Sequence, residues 1–251
     1  MTRRRLWIQG EGSPLQRTRR KDGGLWVYGL CADCNNLASK YDSAYAELAR
    51  GLRSLWRRGD RLLLPLTVDL PRLQVRPGGV ARSLLIGMTA LNPNIRATHP
   101  GLTDALLTGG SARLPGDLQL RIALHWSDSA RVFGAVSGTL LLAPASDKVN
   151  RLAPGVNYQA GIYFPPLAWA LAWKESPLLD RHRYADASSW LSHDPAEVVD
   201  LHDLVQKLPY VRYPGHDPDF QRLGWSEIWA DEIAEIVETD DLPRQMLLDP
   251  T

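Results

Sequence analysis

Three apolar runs between positions 117 and 173 set the strongest limit on how this chain can fold. They read DLQLRIALHW, RVFGAVSGTLLLA and NYQAGIYFPPLAWALAW, and they are rich in β-branched and aromatic residues. This pattern predicts strands of an antiparallel sheet with one covered face. The paired prolines in FPPLAW predict an edge strand or a bend, because proline cannot donate a hydrogen bond within a sheet. The predicted core tryptophans are Trp126, Trp169, Trp173 and Trp190.

Amphipathic helices are predicted near both ends of the chain. Apolar residues from Tyr41 to Leu55 recur every three or four positions, which predicts a helix that starts on a capping box formed by Ser39 and Asp42. The segment WSEIWADEIAEIVE predicts a last helix, with tryptophan and isoleucine on one stripe and carboxylates elsewhere.

The segment between positions 61 and 110 mixes extended and helical patterns. RLLLPLTVDLPRLQV predicts extended segments, and Pro77-Gly78-Gly79 predicts a turn. VARSLLIGMTALNP predicts a helix that ends at Asn92-Pro93, and LTDALLTGG predicts a shorter one that ends on its glycines. We therefore expect an α+β protein with a small head (1–60) and a larger, mainly antiparallel body (61–251). Residues 1–24 are expected to form an arm or irregular loops.

Charge is distributed unevenly along the chain. The net charge is +1, so the total predicts no partner. Residues 1–61 carry thirteen Lys and Arg against six Asp and Glu, whereas residues 174–251 carry seven against seventeen. A basic head and an acidic tail favour contact with each other, within one chain or between copies, or binding of nucleic acid by the head. Two solvated faces of opposite charge are the alternative.

Cysteine usage and hydropathy bear on the compartment. Two cysteines are too few for a disulfide framework, which favours a reducing, cytoplasmic setting. The basic N-terminus is not followed by the apolar run of a signal peptide. No stretch approaches about 20 uninterrupted apolar residues. We therefore expect no membrane association.

Cys31 and Cys34 are the two cysteines, and their spacing is typical of a zinc knuckle, in which two thiolates bind one tetrahedral metal ion. A structural zinc site needs four protein ligands, and the spacing of the six histidines does not supply the other two. A strand, Cys-x-x-Cys and helix also form the redox site of thioredoxins, although the flanking tryptophan and the Gly-Pro pair are absent here. Two buried thiols at a strand–helix turn are the structural alternative.

The segment GLCADCNNLASKYDSAY resembles the second zinc knuckle of treble-clef HNH endonuclease-like proteins. LLIGMTALNPNIRATHPGL, ARLPGDLQLRIAL and IYFPPLAWALAW resemble bacterial, often actinobacterial, proteins that carry such a knuckle, so the resemblance spans about residues 25–190. It implies a zinc-binding head with Cys31 and Cys34 as ligands and Asn35 orienting the turn. In some members it also implies nucleic-acid cleavage by a metal-activated water.

The chain departs from the HNH pattern upstream of Cys31. No cysteine and no histidine precede Cys31, so the first knuckle and the histidine general base are missing. Asn35 cannot act as a general base at neutral pH. We therefore expect a degenerate treble-clef head without catalytic residues. A metal-dependent HNH-like nuclease, completed by ligands elsewhere in the chain or in a partner, is the alternative.

Basic and aromatic residues of the head predict binding of DNA or RNA. Arginine and lysine bind phosphates, and tryptophan stacks on bases. The candidate residues, with Trp7 nearby, are Arg3, Arg4, Arg5, Arg17, Arg19, Arg20, Lys21 and Trp26. The leading hypothesis is a non-catalytic module that binds nucleic acid or assembles with a protein partner. A structural homo-oligomer, in which the basic head meets the acidic tail, remains as a further alternative.

Overall fold

The computed structural model describes residues 3–9, 16–17, 21–22, 32–56, 66–109, 112–126, 130–138, 156–174, 184–213 and 224–231. The helices in these ranges are α1 (Ala32–Ser39), α2 (Asp42–Gly51), α3 (Pro77–Leu91), α4 (Pro93–Thr98), α5 (Pro100–Thr108) and α6 (Leu201–Leu204). Short 3-10 turns occupy Arg53–Leu55 and Ser188–Ser192. Within these ranges, each helix is too short or too polar to cross a membrane.

Most of the strands belong to one large sheet. The strands are β1 (Arg3–Gln9), β2 (Gln16–Arg17), β3 (Lys21–Asp22), β4 (Thr67–Asp69), β5 (Gln74–Val75), β6 (Leu118–His125), β7 (Ala130–Gly138), β8 (Val156–Phe164), β9 (Leu167–Trp173), β10 (Ala185–Asp186), β11 (Val199–Asp200), β12 (Lys207–Val211) and β13 (Gly224–Asp231). The large sheet has the order β2-β1-β13-β7-β8-β9-β6-β12-β4, with β3 beside β1 and β10 beside β6. Its described pairs are antiparallel except β6 with β12, and β5 pairs separately with β11. The predicted α+β class with a mainly antiparallel sheet is confirmed.

Helix α3 packs on one face of this sheet, and α2 and α5 pack against α3. Leu48 of α2 and Leu85 of α3 belong to the same buried cluster as Ile122 of β6 and Trp169 of β9. Trp169 also contacts Trp190 edge to face, with ring centroids 5.4 Å apart. Trp126, Trp169 and Trp190 are buried, as predicted, whereas Trp173 is half-buried. Residues on both sides of position 60 share this core, and a boundary there stays a prediction.

The opposite face of the central strands is also buried, which corrects the expectation of one covered face. Ala123, Ala168 and Ala170 have no exposed surface, and neither does Tyr163. Strands buried on both faces read as continuous apolar runs rather than as apolar–polar alternation. The segment LAWALAW is such a run, because all of its residues are apolar, large ones on one face and small ones on the other. The FPPLAW prolines form the bend between β8 and β9, and the edge-strand alternative is wrong.

The predicted helix over 39–55 is confirmed in its buried face and corrected at its start. Tyr41, Leu48 and Leu52 are buried, in agreement with the helical period. The capping box is wrong, because Ser39 ends α1 and its hydroxyl donates to the Asn36 carbonyl. Helix α2 begins at Asp42 without a side-chain cap.

The predicted turn at Pro77-Gly78-Gly79 is the first turn of α3 instead. Proline suits the first helical position, because its fixed φ matches the helix and its missing N–H has no partner there in any helix. Helix α3 ends at Leu91, directly before Asn92-Pro93, as predicted. Helix α5 also ends where predicted, on Gly109 with a left-handed φ of 81°.

Two further predictions near the ends of the chain are wrong. The described part of the expected arm forms β1, β2 and β3, and the described part of the expected last helix forms β13. The pairing of β13 with both β1 and β7 supplies backbone hydrogen bonds on both sides, which overrides the helical pattern of its sequence. The rest of the predicted last helix lies outside the described residues.

Candidate nucleic-acid interface

One register row crosses the end of the sheet where the N-terminal strands pair. Arg17 of β2 is opposite Trp7 of β1, Trp7 is opposite Trp229 of β13, and Trp229 is opposite Arg131 of β7. Directly opposed residues of antiparallel strands lie on the same face of a sheet. These four residues, the Arg–Trp row, therefore share one face.

The alternation within β1 determines which face this is. Ile8 is opposite Ile228, and the same row continues through Val132 to Ile162, which packs on the cluster under the helices. Successive strand residues alternate between faces. Leu6 and Ile8 are thus on the helix-covered face, and the Arg–Trp row is on the other. A slip of one residue would reverse this arrangement and place charged residues on the core side.

Positive charge on this face is partly matched by acidic register partners. Arg3 is opposite Asp22, and Arg5 is opposite Asp231. The register partners of the two arginines in the row are aromatic instead: Trp7 for Arg17, and Trp229 with Tyr163 for Arg131. The row therefore combines cationic and aromatic residues, whereas the neighbouring arginines are opposite carboxylates.

The inner end of the row meets a buried tyrosine cluster, formed by Tyr163, Tyr184 and Tyr213. The Arg131 guanidinium lies 4.9 Å from the centre of the Tyr213 ring, within the range of cation–π attraction. Tyr213 contacts Tyr163 edge to face at 5.0 Å, and the Tyr163 and Tyr184 hydroxyls are 2.5 Å apart. His125, which is fully buried, contacts Tyr163 edge to face at 5.2 Å. These contacts pack one side of Arg131, which remains partly exposed.

Burial of tyrosine has a consequence that can be measured at alkaline pH. Burial raises the pKa of Tyr163, Tyr184 and Tyr45 above the ordinary value. An unfolded tyrosine loses its proton near pH 10, while these side chains keep theirs in the fold, so the stabilisation is complete below pH 10 and is lost above it. We expect the free energy of unfolding to fall above pH 10 by up to about 1.4 kcal/mol per pH unit for each tyrosine.

Urea denaturation between pH 8 and pH 11 measures this dependence. Tyr184→Phe removes one buried phenol, and its free energy of unfolding should fall less steeply above pH 10 than that of the wild type. Equal slopes for wild type and Tyr184→Phe would contradict the prediction.

The structure places part of the predicted nucleic-acid-binding set. Arg3, Arg4 and Arg5 start β1, Arg17 ends β2 and Lys21 starts β3. Arg4 is opposite Lys21, on the same face as Leu6, and thus does not share the face of the Arg–Trp row. Arg19, Arg20 and Trp26 lie outside the described residues. Two residues of the row are not among the predicted ones: Trp229 falls in the segment that the sequence predicts as a helix, and no local signal distinguishes Arg131.

The predicted zinc ligands are not seen together. Cys34 lies near the start of α1, and Cys31 lies outside the described residues. Across the part of the chain that the structure describes, no group of three or more His, Cys, Asp or Glu side chains is arranged to hold a metal ion. A Cys-x-x-Cys pair supplies two of the four ligands of a structural zinc site. Zinc binding therefore stays a prediction.

Comparisons with known proteins leave the family open. No protein-family model, curated protein or solved structure matches this chain. The HNH-like resemblance of the Cys31–Cys34 segment thus stays a prediction from the sequence.

Proposed function

We propose that this protein is a non-catalytic nucleic-acid-binding module that contacts DNA or RNA through its basic N-terminal strands. The observation that carries the proposal is the Arg–Trp row, in which Arg17 and Arg131 flank Trp7 and Trp229 across four neighbouring strands. Guanidinium groups bind phosphate oxygens, and tryptophan rings stack on bases. In this proposal the Cys31–Cys34 segment is a scaffold inherited from a treble-clef head rather than a catalytic centre.

The basic character of the head supports an electrostatic contribution to binding. Residues 1–61 carry an excess of seven positive charges. Each lysine or arginine that contacts a phosphate releases counterions, so that affinity falls as salt rises. The strands β1, β2 and β3 bring five of these basic residues to one end of the sheet, namely Arg3, Arg4, Arg5, Arg17 and Lys21.

The described histidines lie in the body rather than on the basic strands, and each has a contact there. His193 Nδ1 lies 3.1 Å from the Glu197 carboxylate, and His202 Nε2 lies 2.6 Å from the Leu70 carbonyl. His99 Nε2 lies 3.7 Å from the Asp117 carboxylate, and His125 is buried beside the tyrosine cluster. A histidine general base would need to reach a substrate held at the basic strands.

The first test removes positive charge from the proposed interface. We expect the triple variant Arg17→Ala, Arg19→Ala and Arg20→Ala to bind a labelled oligonucleotide at least about tenfold more weakly than wild type, because phosphate contacts are lost. The slope of log affinity against log salt should become shallower by about two for a single strand. Fluorescence anisotropy titrations at several salt concentrations measure both quantities.

A matched triple variant controls for the loss of charge alone. Arg96, Arg113 and Lys174 are exposed residues of the body, and their replacement by alanine removes the same three charges. We expect this variant to keep most of the affinity and the wild-type salt slope. The proposal fails if wild type binds no oligonucleotide at low salt, or if both triple variants lose affinity equally.

A further inference from the structure

We infer that the nucleic acid bound at this site is a single strand whose bases stack on the Arg–Trp row; this inference rests on the proposed function. The observation is the juxtaposition of Trp7 and Trp229 as direct register partners, with Arg17 and Arg131 as the next residues on either side. Two adjacent aromatic residues with a cation at each end match two neighbouring bases and the phosphates beside them.

The dimensions of the sheet agree with this ligand. Neighbouring strands are about 4.8 Å apart, so the row from β2 to β7 spans roughly 14 Å. Sheets that bind single-stranded RNA stack two or three bases on aromatic residues of neighbouring strands. Because every base has a π-face, such stacking tolerates many sequences. The row therefore predicts a short footprint with little sequence preference.

A duplex fits this surface poorly. Bases in a duplex are stacked on one another and expose only their edges in the grooves, so their faces cannot reach tryptophan. The major groove admits an α-helix or a two-stranded ribbon. Here β1 and β13 lie inside a wider sheet, flanked by β2 on one side and β7 on the other. A surface of at least four strands is too broad to enter a groove.

The acidic residues of the same face indicate the direction of the strand. Glu227 and Asp231 lie two positions before and two positions after Trp229 on β13, and they are opposite Gln9 and Arg5. Phosphates are repelled by these carboxylates on either side of the row. The backbone of the nucleic acid is therefore expected to follow the row, across the strands and from Arg17 towards Arg131.

A comparison of ligands tests this inference on the wild-type protein. The probes are oligo-dT and oligo-rU strands of about 20 nucleotides, an abasic strand with the same number of phosphates, and a duplex of equal length. We expect dT or rU to bind at least about tenfold more tightly than the abasic strand, because only the abasic strand lacks bases to stack. Equal affinity for base-containing and abasic strands, or tighter binding of the duplex, would overturn the inference. The dT and rU titrations distinguish DNA from RNA.

Substitutions in the row provide the second readout. Trp7→Ala and Trp229→Ala should each weaken dT or rU binding about fivefold or more and leave abasic binding unchanged, while Trp7→Phe should keep most of the affinity. Trp173→Ala, at the far end of β9, removes a half-buried tryptophan outside the row and should bind as wild type does. The ratio of base-containing to abasic affinity is measured on folded protein, with thermal unfolding as the check.

The outcomes separate the two proposals. If wild type binds no nucleic acid at low salt, the proposed function fails and the inference fails with it. If wild type binds all probes alike, with a salt dependence that the Arg17, Arg19 and Arg20 variant reduces, phosphate binding stands and base stacking on the row is wrong.

Discussion

Gly78→Ala is expected to lower the free energy of unfolding by about 3 kcal/mol, because α3 and a distant segment approach each other closely at this residue. A Cβ on Gly78 would lie 2.3 Å from the His193 carbonyl oxygen and 2.6 Å from that of Asp194. Both neighbours are backbone atoms and cannot move away by a change of rotamer. The start of α3 or the segment 193–195 must therefore shift.

The segment that meets Gly78 is held by its own hydrogen bonds. Ala196 N donates to the Asp194 carboxylate at 2.8 Å, and Glu197 N donates to the Asp194 carbonyl at 3.1 Å. His193 Nδ1 also lies 3.1 Å from the Glu197 carboxylate. Movement away from a new methyl group would disturb this turn, and the cost of relieving the overlap is correspondingly high.

Gly101→Ala is the matched control, because Gly101 also follows a proline as the second residue of a helix. A Cβ at Gly101 in α5 would meet no heavy atom within 4 Å. Alanine there reduces the freedom of the unfolded chain and should stabilise the protein by about 0.5 kcal/mol. Urea denaturation of both variants measures the difference. If Gly78→Ala and Gly101→Ala had equal stability, close packing at the start of α3 would be refuted.

Arg82→Met is expected to lower the free energy of unfolding by about 2 kcal/mol. Arg82 of α3 is fully buried, and its Nη1 donates to the Gly78 carbonyl at 3.0 Å and to the His193 carbonyl at 3.3 Å. Burial lowers the pKa of the guanidinium, and the neighbouring Tyr41 and Asp194 oppose this effect. Methionine can replace the aliphatic part of the side chain, but it cannot donate to the His193 carbonyl.

Arg96→Met on α4 is the control for Arg82→Met, because Arg96 is exposed and its replacement should change stability by less than about 0.5 kcal/mol. Arg82→Lys should recover only part of the loss, since lysine lacks the planar fork of donors. Equal unfolding curves for Arg82→Met and Arg96→Met would contradict a role for Arg82 at the segment 193–195. Combined with Gly78→Ala, the effect should be less than additive, because both changes act on that segment.

Local patterns were sufficient for the ends of two helices of the body. The end of α3 at Asn92-Pro93 and the end of α5 at Gly109 follow from proline and glycine geometry, which depends on neighbouring residues alone. The same reasoning failed at Pro77-Gly78-Gly79. A Pro-Gly-Gly sequence suits both a turn and a helix start, and the packing of the segment 193–195 against Gly78 is a distant contact that no local pattern contains.

The candidate site also contains residues that the local sequence identifies and residues that only strand pairing identifies. Arg17 and the other basic residues could be identified from composition, and Leu6 and Ile8 already alternate with Arg5 and Trp7 as a strand with one apolar face does. Trp229 could not be identified, because WSEIWADEIAEIVE has a helical stripe and its strand conformation depends on pairing with β1 and β7. Propensity yields to tertiary pairing in such segments.

The sequence by itself determined the α+β class, the central strands, the buried face of α2 and the ends of α3 and α5, because spacing and capping act within a few residues. Only the tertiary structure decided that the central strands are buried on both faces and that Trp7 is opposite Trp229. Those two tryptophans are more than two hundred positions apart in the chain. Strand order and register depend on contacts at such separations, and hydrophobic packing of the sheet against α3 selects among the alternatives.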